Sequence, residues 1–330
     1  MSQSLKSLWP PKPPLTEANL PDQTGKVGTS PPPSQNTKGS LAVFLVTGAS
    51  GGVGEQLASI LYQHNAKVYL AARSEDKTAA AISSLREQHP QSKGDLVFLP
   101  LDLADLGTIA QSAERFLRLE SRLDVLWLNA GVMVPPAGSK TAQGYELQLG
   151  TNNIGHFLLT KLLHPVLKKS AAAAPKNSVR VVWVSSSAID LAPSGVIDFQ
   201  NMAYVRDENA WVKYGRSKAG NVLHAVEFAR RSEGEGIVSV SLNPGNLATD
   251  LQRSMPGWQN FFWTNFMAYP AKFGAYTELF AGLHPDVTVE KSGMFIAPWG
   301  RLVNARKDLF DPELGKRYWE WTEEQVKPYV

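Results

Sequence analysis

Two stretches of this chain carry residue types that could do chemistry together. Tyr214 and Lys218 lie four positions apart within Trp211–Ser232, whose apolar spacing predicts a helix, so both side chains fall on one face. A free phenol titrates near ~10 and exchanges protons poorly at neutral pH. An ammonium beside it favours the phenolate and lowers that value, so the pair reads as a candidate acid–base couple. A solvent-facing pair on a helix surface is the other reading of the same spacing. Far upstream, Thr47-Gly48-Ala49-Ser50-Gly51-Gly52-Val53-Gly54 follows the apolar run Leu41–Val46 and leads into Glu55–His64, where Leu57, Ile60 and Leu61 recur at helical spacing. Glycines let a backbone approach a ligand closely. A glycine turn feeding a helix N-terminus gathers amide N–H groups and the positive end of the helix dipole, which suits a pyrophosphate. An ordinary strand–helix turn is the alternative.

The segments that must position these residues alternate between strand and helix patterns. Lys67–Ala71, Asp95–Pro100, Asp124–Leu128, Val179–Val184, Ile237–Leu242 and Met294–Ala297 join Leu41–Val46 as strands. Glu75–Gln88, Leu106–Leu119, Gly144–Lys169, Trp211–Ser232, Asn260–Leu283 and Pro312–Gln325 read as helices. The alternation predicts an α/β fold, doubly wound, with a mostly parallel seven-stranded sheet and helices on both faces. In such sheets ligands bind beyond the carboxyl ends of the strands. Small polar residues collect at those ends: Thr47–Gly54, Arg73, Asp102, Asn129–Gly131, Ser185–Ser187 and Asn243–Thr249.

Composition narrows the classes. With 330 residues, 43% of them hydrophobic, the chain can bury a full core. A net charge of +3 gives no reason to expect a nucleic-acid partner. The absence of cysteine excludes disulfides, thiolate catalysis and cysteine-based zinc sites. None of the six histidines has metal-ligand spacing, so no metal is expected, and His156 reads as helix packing. No window is long and apolar enough to span a bilayer, and prolines fall where a signal peptide would be apolar. The expectation is a soluble, cytoplasmic protein. Residues 1–40 read as a proline-rich arm with little to bury, and 41–330 as a single domain.

In order and spacing these motifs resemble the short-chain dehydrogenase/reductase family over about residues 41–297, which implies a Rossmann-type fold and a nicotinamide cofactor. Thr47, Gly48, Gly52 and Gly54 match the family's Thr-Gly-x-x-x-Gly-x-Gly, so Gly48, Ser50, Gly51, Gly52, Val53 and Gly54 are the implied cofactor turn. Asp102 and Leu103 look like the segment that meets the adenine, and Asn129, Ala130 and Gly131 like the one that braces the turn. Tyr214-Gly215-Arg216-Ser217-Lys218 is the family's Tyr-x-x-x-Lys; Asn152 and Ser186, the latter inside a run of three serines, fall at its catalytic Asn and Ser. Pro244, Gly245, Leu247 and Thr249 match the segment that closes over the nicotinamide. Gly155–Thr160 and Asn243–Leu251 look like the retinol dehydrogenase/WW-domain oxidoreductase-like branch, especially its fungal reductases.

The resemblance implies roles. Tyr214 exchanges a proton with a substrate oxygen that Ser186 helps to hold, and Lys218 also bonds the nicotinamide ribose. Asparagine is a poor interior residue of a helix, so Asn152 reads either as a kink holding a relay water or as part of a polar helix face. The implied reaction interconverts a carbonyl and an alcohol on a small molecule, with hydride from the nicotinamide. Cofactor choice rests on the end of the second strand, where an acid would bond the NAD ribose. Ala71-Ala72-Arg73-Ser74 has none there; Arg73 can fork a phosphate with help from Lys77, so NADP(H) is expected, a plain surface arginine being the alternative. Met255, Trp258, Phe261, Phe262, Trp263, Phe266, Met267 and Tyr269 are the expected wall for a lipophilic substrate, or else helix packing or a dimer contact. Family resemblance also implies homodimers or homotetramers. The competing function is a non-catalytic NADP(H)-binding redox sensor, against which stands the presence of Asn152, Ser186, Tyr214 and Lys218 together.

The first strand has one irregularity. Thr24-Gly25-Lys26-Val27 looks like the start of that strand in relatives, but Gly28–Val43 intervenes before Phe44. Residues 28–43 read either as an inserted loop, whose Leu41-Ala42-Val43 rebuilds the strand, or as a retained intron in the gene's assigned coding sequence.

Overall fold

The structure, a computed structural model, describes residues 9–24, 41–249 and 268–330. In chain order its strands are β1 (Val43–Thr47), β2 (Lys67–Ala72), β3 (Asp95–Pro100), β4 (Val125–Leu128), β5 (Val179–Val184), β6 (Ile237–Leu242), β7 (Leu247–Ala248), β8 (Tyr269–Pro270), β9 (Phe295–Ala297) and β10 (Arg301–Val303). β7 and β8 pair with each other, and the rest form one sheet ordered β10-β9-β6-β5-β4-β1-β2-β3. Every pairing in it is parallel except β10 on β9. This is the doubly wound α/β fold, with an eighth strand where seven were expected. Arg301–Val303 is too short to show a period; it is a strand because the turn at Pro298–Gly300 folds it back onto β9.

The helices are α1 (Gly52–Gln63), α2 (Glu75–Gln88), α3 (Leu106–Leu119), α4 (Gly155–Ala173), α5 (Ala210–Arg231), α6 (Ala271–Leu283) and α7 (Pro312–Val326). Helices α1, α2 and α6 bury Leu57, Ile82 and Leu279 with Phe44, Val68 and Val182 of the sheet. Helices α3, α4 and α5 bury Ile109, Phe157 and Ala225 with Leu45, Leu126 and Val181 of the other face. Strands β1, β4, β5 and β6 are therefore buried at every position, and they are mostly apolar, broken only by Thr47, Arg180, Ser239 and Ser241. Helix starts follow their caps: Ser74, Asp105 and Asn209 accept the amides of Lys77, Gly107 and Trp211.

The chain runs β1 to β3 in one direction, then crosses over to β4 on the other side of β1 and continues to β6. The reversal leaves a crevice beyond the carboxyl ends of β1 and β4, the usual ligand position in such sheets.

Three stretches differ from the expected pattern. The helix expected from Gly144 begins with one turn at Leu147–Leu149, passes through a π-helical turn at Gly150–Ile154, and only then becomes α4. Of the helix expected over 260–283, the described part is α6. The arm is not free of burial: Leu15 and Leu20 sit in the core, the Gln23 amide donates to the His64 carbonyl at 2.8 Å, and Glu17 pairs with Lys272. Thr24 bridges to Leu41 in antiparallel fashion, so residues 9–24 strap the end of α1 to the start of α6. Among the described residues no helix is long and apolar enough to cross a membrane, and no His/Asp/Glu group is placed to hold a metal.

Candidate active site

The glycine turn leaves β1 at Thr47. Gly48 has φ +71, a left-handed conformation that suits glycine, and its amide donates to the Ala71 carbonyl at 2.7 Å. Gly54 is packed beneath: a Cβ there would lie 2.7 Å from Asn129 Nδ2 and 2.8 Å from the Gly48 carbonyl oxygen. Gly51, the N-cap of α1, has no side chain to cap the first amides, which leaves them for an anion. The end of β4 holds this turn from the side. Asn129 Nδ2 donates to the Thr47 carbonyl at 2.8 Å, and the Ala130 amide donates to Thr47 Oγ1 at 2.9 Å.

Above the turn lies a cavity of about 340 Å³. Its lining includes Gly48, Ser50, Gly51, Gly52 and Val53 from the turn, Arg73 and Lys77 from the end of β2 and α2, Asp102 and Leu103 after β3, and Asn129, Ala130 and Gly131 after β4. A second cavity, of about 430 Å³, is lined by Ser186, Tyr214, Lys218, Pro244, Gly245 and Leu247 among others. The two share Val53, Asn129, Gly131, Val132 and Thr249, so they adjoin along one crevice. Of the residues expected to touch a cofactor, only Gly54 lines neither cavity.

Ser186, Tyr214 and Lys218 line the second cavity, and Asn152 lies behind its lining residue Gly131. Tyr214 and Ser186 line this cavity together, and the Ser186 side chain is near enough to lower the Tyr214 phenol. Its serine neighbours are occupied elsewhere: Ser185 Oγ donates to the Lys218 carbonyl at 2.7 Å, and Ser187 opens a short 3₁₀ turn. Lys218 Nζ donates to the Val184 carbonyl at 3.1 Å and lies 5.7 Å from the centre of the Tyr214 ring. Asn152 sits in the π-helical turn, whose extra residue turns the side chain out of the regular helix face. Its Oδ1 accepts from the Val132 amide at 2.8 Å, and its Nδ2 donates to the Val132 carbonyl and to Ser217 Oγ, each at 3.0 Å. Asn152 and Lys218 converge on Gly131, where a Cβ would lie 3.2 Å from Asn152 Oδ1 and 3.5 Å from Lys218 Nζ.

Burial decides the electrostatics. It pushes the Tyr214 phenol up to about 12, against a smaller lowering by the Ser186 side chain. It pushes Lys218 down to about 8, partly opposed by the carboxylate of the buried Glu278. The expected lowering of the phenol by the ammonium is therefore not what the folded chain shows. Both groups have left water, and the ammonium is turned to the Val184 carbonyl. Glu278, with neither carboxyl oxygen hydrogen-bonded, is pushed up to about 8 by the same cause.

Most of the expected aromatic residues, Met255 to Met267, lie outside the described residues. Tyr269 instead packs on Trp299, ring centres 5.1 Å apart. Among the described residues the apolar lining of the second cavity includes Met133, Ala188, Leu191 and Trp211. Trp211 stands edge-on to Tyr214 with ring centres 6.3 Å apart, and it keeps 37% of its surface exposed. Its position three residues before Tyr214, on the same helix face, was the available signal. His156 was also missed: it is wholly buried and hydrogen-bonded to both Thr47 and Asn152.

Comparison with known proteins agrees with this geometry. The profile of the short chain dehydrogenase family matches residues 42–260. A short-chain dehydrogenase/reductase of Phomopsis amygdali is 49% identical, over 99% of this chain and 98% of its own. The short-chain dehydrogenase/reductase pkfC of Emericella nidulans is 52% identical, over 96% of this chain and 98% of its own. Among solved structures, an uncharacterized protein from Mycobacterium paratuberculosis superimposes with a TM-score of 0.67 at 26% identity, covering 95% of this chain and 97% of that one. A short chain dehydrogenase from Shigella flexneri complexed with NADP gives 0.50 at 25% identity, covering 66% and 82%.

Proposed function

The chain belongs to the short-chain dehydrogenase/reductase family, and on that premise we propose that it is an NADP(H)-dependent oxidoreductase interconverting a carbonyl and an alcohol on a lipophilic small molecule. One observation carries the reading: two adjoining cavities share a five-residue border, the first floored by a glycine turn and the second lined by the Tyr214–Ser186 pair. The first cavity would hold the phosphates of a dinucleotide at the glycine turn, and the second would hold its nicotinamide beside Tyr214. When bound, the nicotinamide supplies or takes the hydride.

The chain's own residues do the rest. The first-turn amides of α1 receive the pyrophosphate, and Arg73 with Lys77 receives the 2′-phosphate that distinguishes NADP(H). Arg73 is exposed, makes no ion pair among the described residues, and has no carboxylate but Asp102 beside it in the cavity lining. The NADP complex of the Shigella relative supports the same choice. In reduction the Tyr214 hydroxyl gives its proton to the substrate oxygen while Ser186 donates a hydrogen bond to it; in oxidation the proton returns. Lys218 and Asn152, converging beside Gly131, lie where charge and proton supply are needed. The apolar lining at Met133, Leu191 and Trp211 supports a lipophilic substrate, and Gly155-His156-Phe157 with Asn243–Thr249 supports the retinol dehydrogenase/WW-domain oxidoreductase-like branch.

The test is nicotinamide absorbance with purified protein, NADPH and a panel of aldehydes, ketones and quinones. Turnover is expected, with a loss of about 10²–10⁴-fold in Tyr214→Phe. Binding of NADPH with no turnover on any carbonyl favours the sensor and overturns the proposal. Small polar sugars outperforming apolar carbonyls overturns the substrate class alone.

A further inference from the structure

One buried imidazole joins the two halves of this site. His156 stands in the first turn of α4, four residues after Asn152, with no exposed surface. Its Nδ1 lies 3.1 Å from the Asn152 carbonyl oxygen, and its Nε2 lies 3.0 Å from Thr47 Oγ1. A carbonyl only accepts, so Nδ1 must carry the proton. Nε2 then offers only a lone pair, and the Thr47 hydroxyl must donate to it. The same hydroxyl accepts from the Ala130 amide at 2.9 Å, and the Trp127 carbonyl, at 3.4 Å, is a longer second acceptor for its proton. With Nδ1 protonated, every step of the path Asn152–His156–Thr47–Ala130 is a hydrogen bond. Burial holds His156 neutral, at about 3, so that arrangement does not change over the working range of an enzyme.

The two ends of this path are the two parts of the site. Thr47 is the last residue of β1 and opens the glycine turn; its carbonyl takes the Asn129 amide that also packs on Gly54. Asn152 is held by Val132 and Ser217 through its side chain, and Ser217 Oγ donates in turn to the Tyr214 carbonyl at 2.8 Å. Without His156, the Asn152 carbonyl and the Thr47 hydroxyl would each lose a buried partner, on separate elements.

We infer that His156 is a positioning residue that ties Asn152 of the π-helical turn to Thr47 of the cofactor turn, so that proton supply and cofactor cradle are set by one side chain. The kinetic part of this inference rests on the proposed reaction; the binding part rests only on the proposed NADP(H) site.

The two arms of the imidazole can be removed separately. His156→Asn keeps a donor near the Nδ1 position but is too short to reach Thr47. His156→Gln places its amide near the Nε2 position and gives up the bond to the Asn152 carbonyl. NADPH affinity is read by fluorescence titration, kcat and the solvent isotope effect by turnover, and folding by melting temperature. The expected split is a Kd about tenfold weaker in His156→Asn with kcat little changed, and kcat about tenfold lower in His156→Gln with a raised solvent isotope effect and Kd little changed. If neither variant moves Kd or kcat, or both lose the two in the same proportion as melting temperature, His156 is a packing group and the inference is overturned. Should the His156 variants not fold, Thr47→Val removes the far end of the link without touching α4, and an unchanged Kd there overturns the inference. A wild-type protein that turns over no carbonyl defeats the proposed function, while the Kd comparison still decides the link to Thr47.

Discussion

Arg73 offers the sharpest test of cofactor choice. It sits just beyond β2, exposed, on the lining of the first cavity with Lys77, one helical turn further on. Glu75 and Asp76, the nearest acids in sequence, occupy the first turn of α2, and neither lines that cavity. A hydrogen bond to a charged group contributes about 1.5–3 kcal/mol. An exposed ion pair is weakened by solvent and salt, so the lower end applies here. About 1.5 kcal/mol corresponds to roughly tenfold in affinity. Arg73→Ala is therefore expected to weaken NADPH about tenfold and leave NADH within about twofold, since only NADPH carries the extra phosphate. Arg73→Asp adds repulsion of that phosphate and supplies an acceptor for the ribose, so it should reverse the preference. The assay is kcat/KM for both cofactors at fixed substrate and at two ionic strengths, the Arg73 contribution shrinking in high salt. A ratio of NADPH to NADH efficiency that is the same in wild type, Arg73→Ala and the Arg73→Ala/Lys77→Ala double variant would refute the reasoning.

Three further outcomes follow from the packing and the buried charges. Trp211→Ala should lower kcat/KM about tenfold for bulky apolar carbonyls and less than about threefold for small aldehydes, because only the former reach the ring; equal losses across a size series count against a substrate wall at Trp211. Gly282→Ala would drive a methyl group into the fully buried Trp127 ring, so urea unfolding should show a loss of about 1–3 kcal/mol, and an unchanged midpoint would contradict that contact. His156 and His224 are both held neutral by burial, at about 3 against an ordinary 6.5. With the folded value depressed, their contribution is fully present above ~6.5 and is lost as pH falls from there toward the folded value, by about 1.4 kcal/mol per pH unit and per group. His224→Gln should therefore flatten the fall in stability between about pH 6 and pH 4, and an unaltered slope would show that His224 is not held neutral.

The parts legible in the sequence were those set by local pattern. Glu75–Gln88 and Leu106–Leu119 carry their own caps and an apolar stripe, and they fold over those same residues. Strands β3, β5 and β6 are apolar runs that stand out from their surroundings. What was not legible depends on partners far along the chain. Arg301–Val303 is a strand only because β9 is there to pair with it. Leu15 and Leu20 are two apolar residues in a proline-rich stretch, and nothing local says that α1 and α6 leave room for them. His156 has the surroundings of a packing residue in the sequence, since its hydroxyl partner is Thr47, more than a hundred positions upstream. The kink at Asn152 was legible, because asparagine is a poor interior residue of a regular helix, but the choice of Val132 and Ser217 as its partners was not.

The pair that first drew notice also shows where spacing misleads. Four residues between a tyrosine and a lysine argue that the ammonium lowers the phenol. The folded chain adds a larger effect that the spacing does not contain. Tyr214 and Lys218 are each only 4% exposed, and a low-dielectric site disfavours whichever form is charged. The same burial therefore acts with opposite sign on the two groups, raising the phenol to about 12 and lowering the ammonium to about 8. Burial therefore keeps the proton on the Tyr214 phenol and works against the charge on Lys218. Negative charge on the phenol oxygen would then belong to the transfer itself and not to the resting site.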